Sequence, residues 1–226
     1  MSLKIFIGYD PNETVAYHTL CHSIMTRSTE PVSITPLIRR QLPLIRPRDP
    51  KQSTEFAFTR FLVPYLCNYE GYALFMDCDM LCRTDISELF ALMDESKSVM
   101  VVKHDYTPKT HFKFLDQVQT KYEKKNWSSV MLFNNPMCKN LNPSYVDKST
   151  GLNLHQFRWT NEDKIGELPV EWNHLVGEYD RNEYAKILHY TLGGPYFSEY
   201  ENCEYSIEWF DEFDASSYSN NEKQTV

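Results

Sequence analysis

Asp77 and Asp79, separated by Cys78, stand at the end of the apolar run Tyr72-Ala-Leu-Phe-Met76. Two carboxylates with one residue between them, placed where a hydrophobic strand leaves the core, repel each other and resist desolvation unless a cation lies between them. Carboxylate oxygens are hard ligands that suit Mg²⁺ or Mn²⁺, and an ion so held could bridge a diphosphate. Asp-x-Asp also arises by chance on solvated loops and at helix caps. Context separates the two readings. A Glu70-Gly71 turn precedes the strand and Asp85-Ile-Ser-Glu88, a capping-box-like helix start, follows it. Strand, carboxylates and helix thus come in the order that puts a ligand at the tip of a parallel strand.

The elements that must carry this tip read as alternating strands and helices. Lys4-Ile-Phe-Ile-Gly8 predicts a first strand, the Tyr9-Asp-Pro-Asn-Glu13 turn leads into an amphipathic helix over 14–25, and 31–38 predicts a second strand. After a Pro- and Arg-rich loop at 42–50, Ser53 is expected to open a helix carrying Phe56, Phe58, Arg60, Phe61 and Leu62, and the acidic strand follows. That order implies parallel, right-handed crossovers in an α/β protein. Residues 98–103 and 129–133 are further strand candidates, and the polar, acidic stretch 211–226 reads as a frayed tail after a single domain over 1–210.

Composition narrows the partners. The chain of 226 residues is 42% hydrophobic and 14% aromatic, enough to bury a sizeable core. A net charge of -8 disfavours nucleic acid, whose affinity comes from clustered Lys and Arg; the short basic stretches Arg39-Arg40 and Lys121 to Lys125 are a solvated face and a candidate anion contact. The start, Met1-Ser-Leu-Lys-Ile-Phe-Ile-Gly8, lacks a secretory signal, and no apolar stretch approaches the ~20 residues of a membrane span, so the expectation is a soluble, cytoplasmic protein with no integral membrane segment. Six scattered cysteines without a Cys-x-x-Cys pair point to reduced, mostly buried thiols.

Five blocks then occur in a telling order: Thr59-Arg60-Phe61, Phe75-Met-Asp77-Cys-Asp79, Trp127-Ser-Ser-Val-Met-Leu-Phe-Asn134, Leu168-Pro-Val-Glu-Trp-Asn173, and Ile187-Leu-His189-Tyr190. In these the chain, over residues 3–197, resembles the retaining glycosyltransferases of family eight, the glycogenin-like and galactosyltransferase-like enzymes. The resemblance implies a GT-A fold, a Rossmann-like and mostly parallel central sheet flanked by helices. It implies a metal site of Asp77, Asp79 and His189 for Mn²⁺ (or Mg²⁺), where a histidine standing alone would read as a core residue. For the nucleotide-sugar donor, a UDP-sugar, it implies contacts from Gly8, Tyr9, Asp10, Arg60 and Asp77. The bland readings beside these are an ordinary turn for Gly8 to Asp10 and a surface ion pair for Arg60. A sugar pocket is implied at Asn126, Ser128, Ser129, Trp172 and Asn173, and His104 and His155 could line it.

Two departures from the family pattern stand out. Asn161-Glu162-Asp163 replaces Asp-Gln-Asp, so Glu162 could stabilise an oxocarbenium-like centre or attack it, and Asp163 could hold a sugar hydroxyl; either could equally be a helix cap. Gly193-Gly194-Pro195-Tyr196 lacks the family's diphosphate-gripping lysine. Gly193 and Gly194 could offer backbone N–H groups to phosphate, or Lys124 or Lys125 could substitute, and a simple turn is the alternative. The reading is a metal-dependent retaining transferase acting on an unidentified saccharide, lipid-linked or protein acceptor. Its rivals are a haloacid-dehalogenase-like phosphatase, disfavoured by Leu81 where such motifs place Thr, and a non-catalytic nucleotide-sugar or glycan-binding module.

Overall fold

A computed structural model of the chain describes residues 2–49, 52–109, 112–113, 117–118 and 122–217. β1 (Leu3–Gly8) and β3 (Tyr72–Met76) pair in parallel, with Ile5 opposite Leu74 and Ile7 opposite Met76, all of them fully buried. β2 (Val32–Leu37) flanks β1 in parallel. Between them α1 (Thr14–Arg27) buries Ala16, Tyr17, Leu20 and Ile24, the i, i+3/i+4 spacing of one apolar face. The six-stranded sheet has the order β2-β1-β3-β8-β5-β9, where β5 is Val99–Val102, β8 is Val130–Asn134 and β9 is Ile165–Leu168. β8 runs antiparallel to both neighbours while every other pairing is parallel, so the sheet is mostly parallel with one reversed strand.

A small second sheet completes the site: β4 (Met80–Cys82) pairs antiparallel with β11 (Ile187–His189), which pairs in parallel with β10 (His174–Leu175). β6 (Phe112–Lys113) and β7 (Gln117–Val118) pair antiparallel. Short helices α3 (Ser87–Phe90), α4 (Pro143–Lys148) and α5 (Gly151–His155) lie in the connections. No helix among the described residues is long and apolar enough to cross a membrane.

Two expectations change. The helix expected from Ser53 is instead a series of bends, a 3₁₀ turn at Thr59–Leu62 and one helical turn, α2 (Val63–Leu66). Phe56, Phe58, Phe61 and Leu62 are all buried, and at helical spacing they would point to every side; a helix suits a stripe, whereas a coiled segment can sink each ring separately. The stretch expected to fray from Asp211 is helical as far as Ser217, because α6 (Ser206–Ser217) runs through that point and docks on α1. Trp209 and Phe213 stack with centroids 5.6 Å apart, and the buried Glu212 carboxylate meets His22 Nδ1 at 2.5 Å and the Arg27 guanidinium at 2.6 Å. The stripe and the ion pairs outweigh the polar composition. Residues 218–226 of the expected tail lie outside the described residues.

Candidate active site

Backbone pairing aims the acidic pair. Asp77 N–H donates to the Ser129 carbonyl at 3.0 Å, and Tyr190 N–H donates to the Asp79 carbonyl at 2.9 Å. The chain between β3 and β4 is thereby pinned to both sheets. Because β11 pairs with β4, His189 stands opposite Met80, and its imidazole reaches back over Asp79. One ligand atom from each of Asp77, Asp79 and His189 lies within 4.8 Å of the other two.

The surrounding hydrogen bonds fix which nitrogen of His189 is free. The Asn126 carbonyl can only accept, so the group of Asn173 that faces it at 3.4 Å is the amide NH₂, which also donates to Ser129 Oγ at 2.8 Å. Asn173 Oδ1 therefore accepts from His189 Nδ1–H at 2.9 Å. Nε2 is then the nitrogen that faces Asp79 Oδ2, 3.4 Å away. A divalent cation could take a lone pair from each of these two atoms, and a ligand histidine held through its other nitrogen is the usual arrangement of metal sites.

Arg60 is no surface ion pair. It is 5% exposed, its guanidinium lies over both the Phe56 and Phe75 rings, 5.2 and 4.9 Å from their centroids, and Nη1 meets both Asp77 Oδ1 and the Ser128 carbonyl at 2.8 Å. The cation thus orients one carboxylate oxygen from inside the protein. On the other flank Glu13, 1% exposed, accepts from Tyr196 Oη at 2.7 Å and lies 4.0 Å from Cys78 Sγ. Burial, then the Glu13 and Asp79 charges, push the Tyr196 hydroxyl and the Cys78 thiol well above their ordinary pKa values, so both stay neutral.

Other expected site residues fall into distinct roles. A Cβ on Gly8 would come 2.4 Å from the Phe56 ring, so that glycine admits an internal side chain. Asp10, 2% exposed, spends its oxygens on the N–H groups of Asn12 and Glu55 at 3.0 Å, while Tyr9 bonds Thr14 Oγ1 at 3.2 Å. Gly193 N–H donates to the Tyr190 carbonyl at 2.8 Å and is spent in a turn; a Cβ on Gly194 would come 2.2 Å from the Tyr196 ring. Ser128, Ser129 and Asn173 are buried braces, and Ser128 Oγ bonds His155 Nδ1 at 2.7 Å. Trp172 belongs to the main core, its ring 4.7 Å from Lys186 Nζ. Asn126, at φ 62°, donates to Tyr106 Oη at 2.8 Å and Thr191 Oγ1 at 3.3 Å.

Glu162 is exposed and pairs with Lys124 Nζ at 2.5 Å; Lys124, itself at φ 62°, also donates to the Gln156 carbonyl at 3.2 Å. Asp163 is exposed, and it is its backbone carbonyl that accepts from Lys97 at 2.8 Å. Neither side chain caps the short turn it begins, at Glu162–Lys164. Lys121, at the start of the basic stretch, lies outside the described residues. Glu13, Tyr106, Tyr122 and Tyr196 are site neighbours that sequence reasoning does not find. Tyr122 is half-buried; desolvation raises its pKa, and it feels both Arg60 and Asp77.

Solved structures with this fold are GT-A glycosyltransferases. The galactosyltransferase LgtC, in complex with donor and acceptor sugar analogs, aligns with 97% of this chain and 98% of its own at TM-score 0.61 and 11% identity. GlyE of Streptococcus pneumoniae TIGR4 aligns at TM-score 0.63 and 14% identity over 96% of this chain and 62% of its own, and the bifunctional glycosyltransferase WbbM at 0.57 and 14% over 93% and 51%. The chain therefore spans about half to three-fifths of the latter two. The protein belongs to glycosyl transferase family 8, whose family model matches residues 21–194. Protein CDI of Arabidopsis thaliana is 44% identical over 228 residues, covering 96% of this chain and 88% of that protein. A glycosyltransferase with a nucleotide-sugar donor and a glycan acceptor is what this membership supports, and it displaces the phosphatase reading.

Proposed function

We propose that the protein is a Mn²⁺- or Mg²⁺-dependent, retaining glycosyltransferase that moves a sugar from a UDP-linked donor to a hydroxyl of a saccharide, lipid-linked or protein acceptor. The observation that carries this is the convergence of Asp77, Asp79 and His189, with His189 Nε2 facing Asp79 and Asp77 braced by Arg60. Asp77, Asp79 and His189 would hold the cation, which when bound neutralises charge on the departing diphosphate. The chain's own part is preorganisation: Asn173 holds the ring, Arg60 holds the carboxylate, and neither must move as charge develops. Lys124 is a candidate for the place of the missing diphosphate lysine, since its side chain is 14% exposed and it lines a cavity with Tyr122, which senses Arg60 and Asp77. Glu162, 68% exposed and ion-paired, fits a stabiliser of positive charge better than a nucleophile. All six cysteines are free thiols and four are buried, which supports a cytoplasmic setting.

The test is a thermal-shift and turnover screen of nucleotide sugars with and without Mn²⁺. The proposal expects stabilisation by a UDP-sugar only with metal, lost in Asp77→Asn and Asp79→Asn, and retained configuration in the product. Metal-independent binding, or an inverted product, would refute it.

A further inference from the structure

The turn after β1 carries a further carboxylate behind the acidic pair. β1 and β3 run in parallel with Ile7 opposite Met76, so the segments that follow the two strands leave the sheet side by side. After β1 the chain passes through the 3₁₀ turn Pro11–Glu13, closed by the Glu13 N–H on the Asp10 carbonyl at 3.0 Å, and enters α1 at Thr14. Glu13 therefore stands at the N-cap position of α1, although its side chain makes no capping bond. That side chain turns inward instead. The residue is 1% exposed, a rare position for a glutamate.

Its surroundings favour the ionised form. Tyr196 Oη donates to Oε1 at 2.7 Å, and the Cys78 thiol faces Oε2 at 4.0 Å. Both groups are neutral, so each has a proton to give, and hydrogen bonds to a carboxylate hold it charged. The positive end of the 14-residue α1 acts in the same direction. The donor on Oε1 is itself fixed by packing, since the Tyr196 ring lies 4.7 Å from that of Phe197 and 5.3 Å from that of Trp209.

The charge is placed to act on the metal site without touching it. Among the described residues the side chains whose ligand atoms converge are Asp77, Asp79 and His189, and Glu13 is not one of them. Cys78, the residue that joins the two aspartates, is fully buried, and after burial its thiol feels Glu13 first, then Asp79, Asp77 and Asp10. Asp10 spends its oxygens on the N–H groups of Asn12 and Glu55. Coulomb attraction falls only with the inverse of distance and is weakly screened where water is excluded, so a buried carboxylate one residue's breadth behind two ligands still attracts a divalent ion held by them.

We propose that Glu13 is an outer charge of the metal site: it does not contact the cation, and its buried carboxylate strengthens the hold of Asp77, Asp79 and His189 on a divalent ion. This rests on the metal reading above. The experiment is titration of the full chain with Mn²⁺, with and without UDP, followed by the electron paramagnetic resonance signal of the free ion, beside urea unfolding of the metal-free protein. Wild type should bind Mn²⁺ and Asp79→Asn should lose it. Glu13→Gln keeps an oxygen for the Tyr196 hydroxyl but removes the charge, and it should weaken Mn²⁺ binding roughly 10-fold. Tyr196→Phe removes the bond but keeps the charge, and its Mn²⁺ affinity should stay within about threefold of wild type even where the metal-free protein is less stable. Should Glu13→Gln fail to fold, Glu13→Met, which removes charge and bond together, is set against Tyr196→Phe, and the same roughly 10-fold gap between them is expected. Mn²⁺ affinity in Glu13→Gln within twofold of wild type, or equal losses in the glutamate and tyrosine variants, would make Glu13 a structural residue and overturn the inference while leaving the metal reading intact. A wild type that binds no Mn²⁺ in either condition, or binding that survives in Asp79→Asn, removes the metal reading and this inference with it.

Discussion

Replacing Asn173 separates its two duties, holding the His189 tautomer and bonding the loop before β8. The side chain is fully buried and makes contacts to His189 Nδ1, Ser129 Oγ and the Asn126 carbonyl. In Asn173→Leu the volume is nearly kept but His189 Nδ1–H loses its acceptor inside the protein. One orphaned donor costs about 1–3 kcal/mol, and the two lost amide donations add roughly 1 kcal/mol, for a total of about 2–4 kcal/mol of stability. Loss of the group that orients a ligand histidine also weakens metal binding, by roughly 10- to 100-fold, equivalent to about 1.4–2.7 kcal/mol. Asn173→Asp differs in kind: the carboxylate still accepts from Nδ1–H, but it faces the Asn126 carbonyl and cannot donate to it. That variant should lose stability and keep most of the metal affinity. Urea unfolding measures the first quantity and Mn²⁺ titration of the folded variants the second. If Asn173→Leu binds Mn²⁺ within twofold of wild type while His189→Ala does not bind, the tautomer argument fails.

Arg60→Met leaves the partly buried Asp77 carboxylate without its cation, and the expected cost is about 3 kcal/mol in chemical denaturation; a cost under about 0.5 kcal/mol would mean that the pair is solvated. Glu162→Gln should lower transfer by roughly 10- to 1,000-fold, the loss of one electrostatic contact, and intact-mass analysis of the unmutated protein under turnover should show no sugar adduct on Glu162. The pH dependence of stability has a definite sign. His104 titrates at about 3 in the folded chain against about 6.5 when unfolded, so the unfolded state takes up more protons between these values and stability falls as pH drops below about 6.5. The loss from this ring is about 2 kcal/mol at pH 5, His155 acts in the same direction, and His104→Gln should flatten the slope of unfolding free energy against pH over that range.

What could be read from the chain and what could not divides along the range of the interaction. β1, β3 and α1 were legible because each is set by a local pattern: an uninterrupted apolar run for a covered strand, a repeating face for the helix. The metal triad was legible because two ligands sit on one strand end and the third lay in a family-like block. The role of Asn173 was not, since a polar residue expected to line a pocket turned out to be a fully buried brace. Glu13 reads as an ordinary turn residue, and its bond to Tyr196 spans 183 positions. Gly8 reads as room for a ligand, but the room is taken by Phe56, a side chain that sequence patterning placed on a helix that does not form. α6 was hidden because acidic residues mask the Trp209 and Phe213 stripe and the partners of Glu212 lie on the first helix.

The reversal of β8 has a consequence for synthesis on the ribosome. β1, β2 and β3 can pair as soon as they are made, but the far edge of β3 accepts β8, and β5 and β9 join the sheet only through β8. Fifty-eight positions separate Met76 from Asn134, so at translation rates of about 5–20 residues per second that edge waits roughly 3 to 12 s for its partner. It is an unpaired edge in which Ala73, Leu74, Phe75 and Met76 are all destined for full burial, a template for pairing with another nascent chain. Slowing the ribosome between residues 76 and 134 with rare codons would lengthen this window, and the yield of soluble protein should fall with the delay, whereas the same codons placed after residue 168, once β9 has been made, should leave it unchanged.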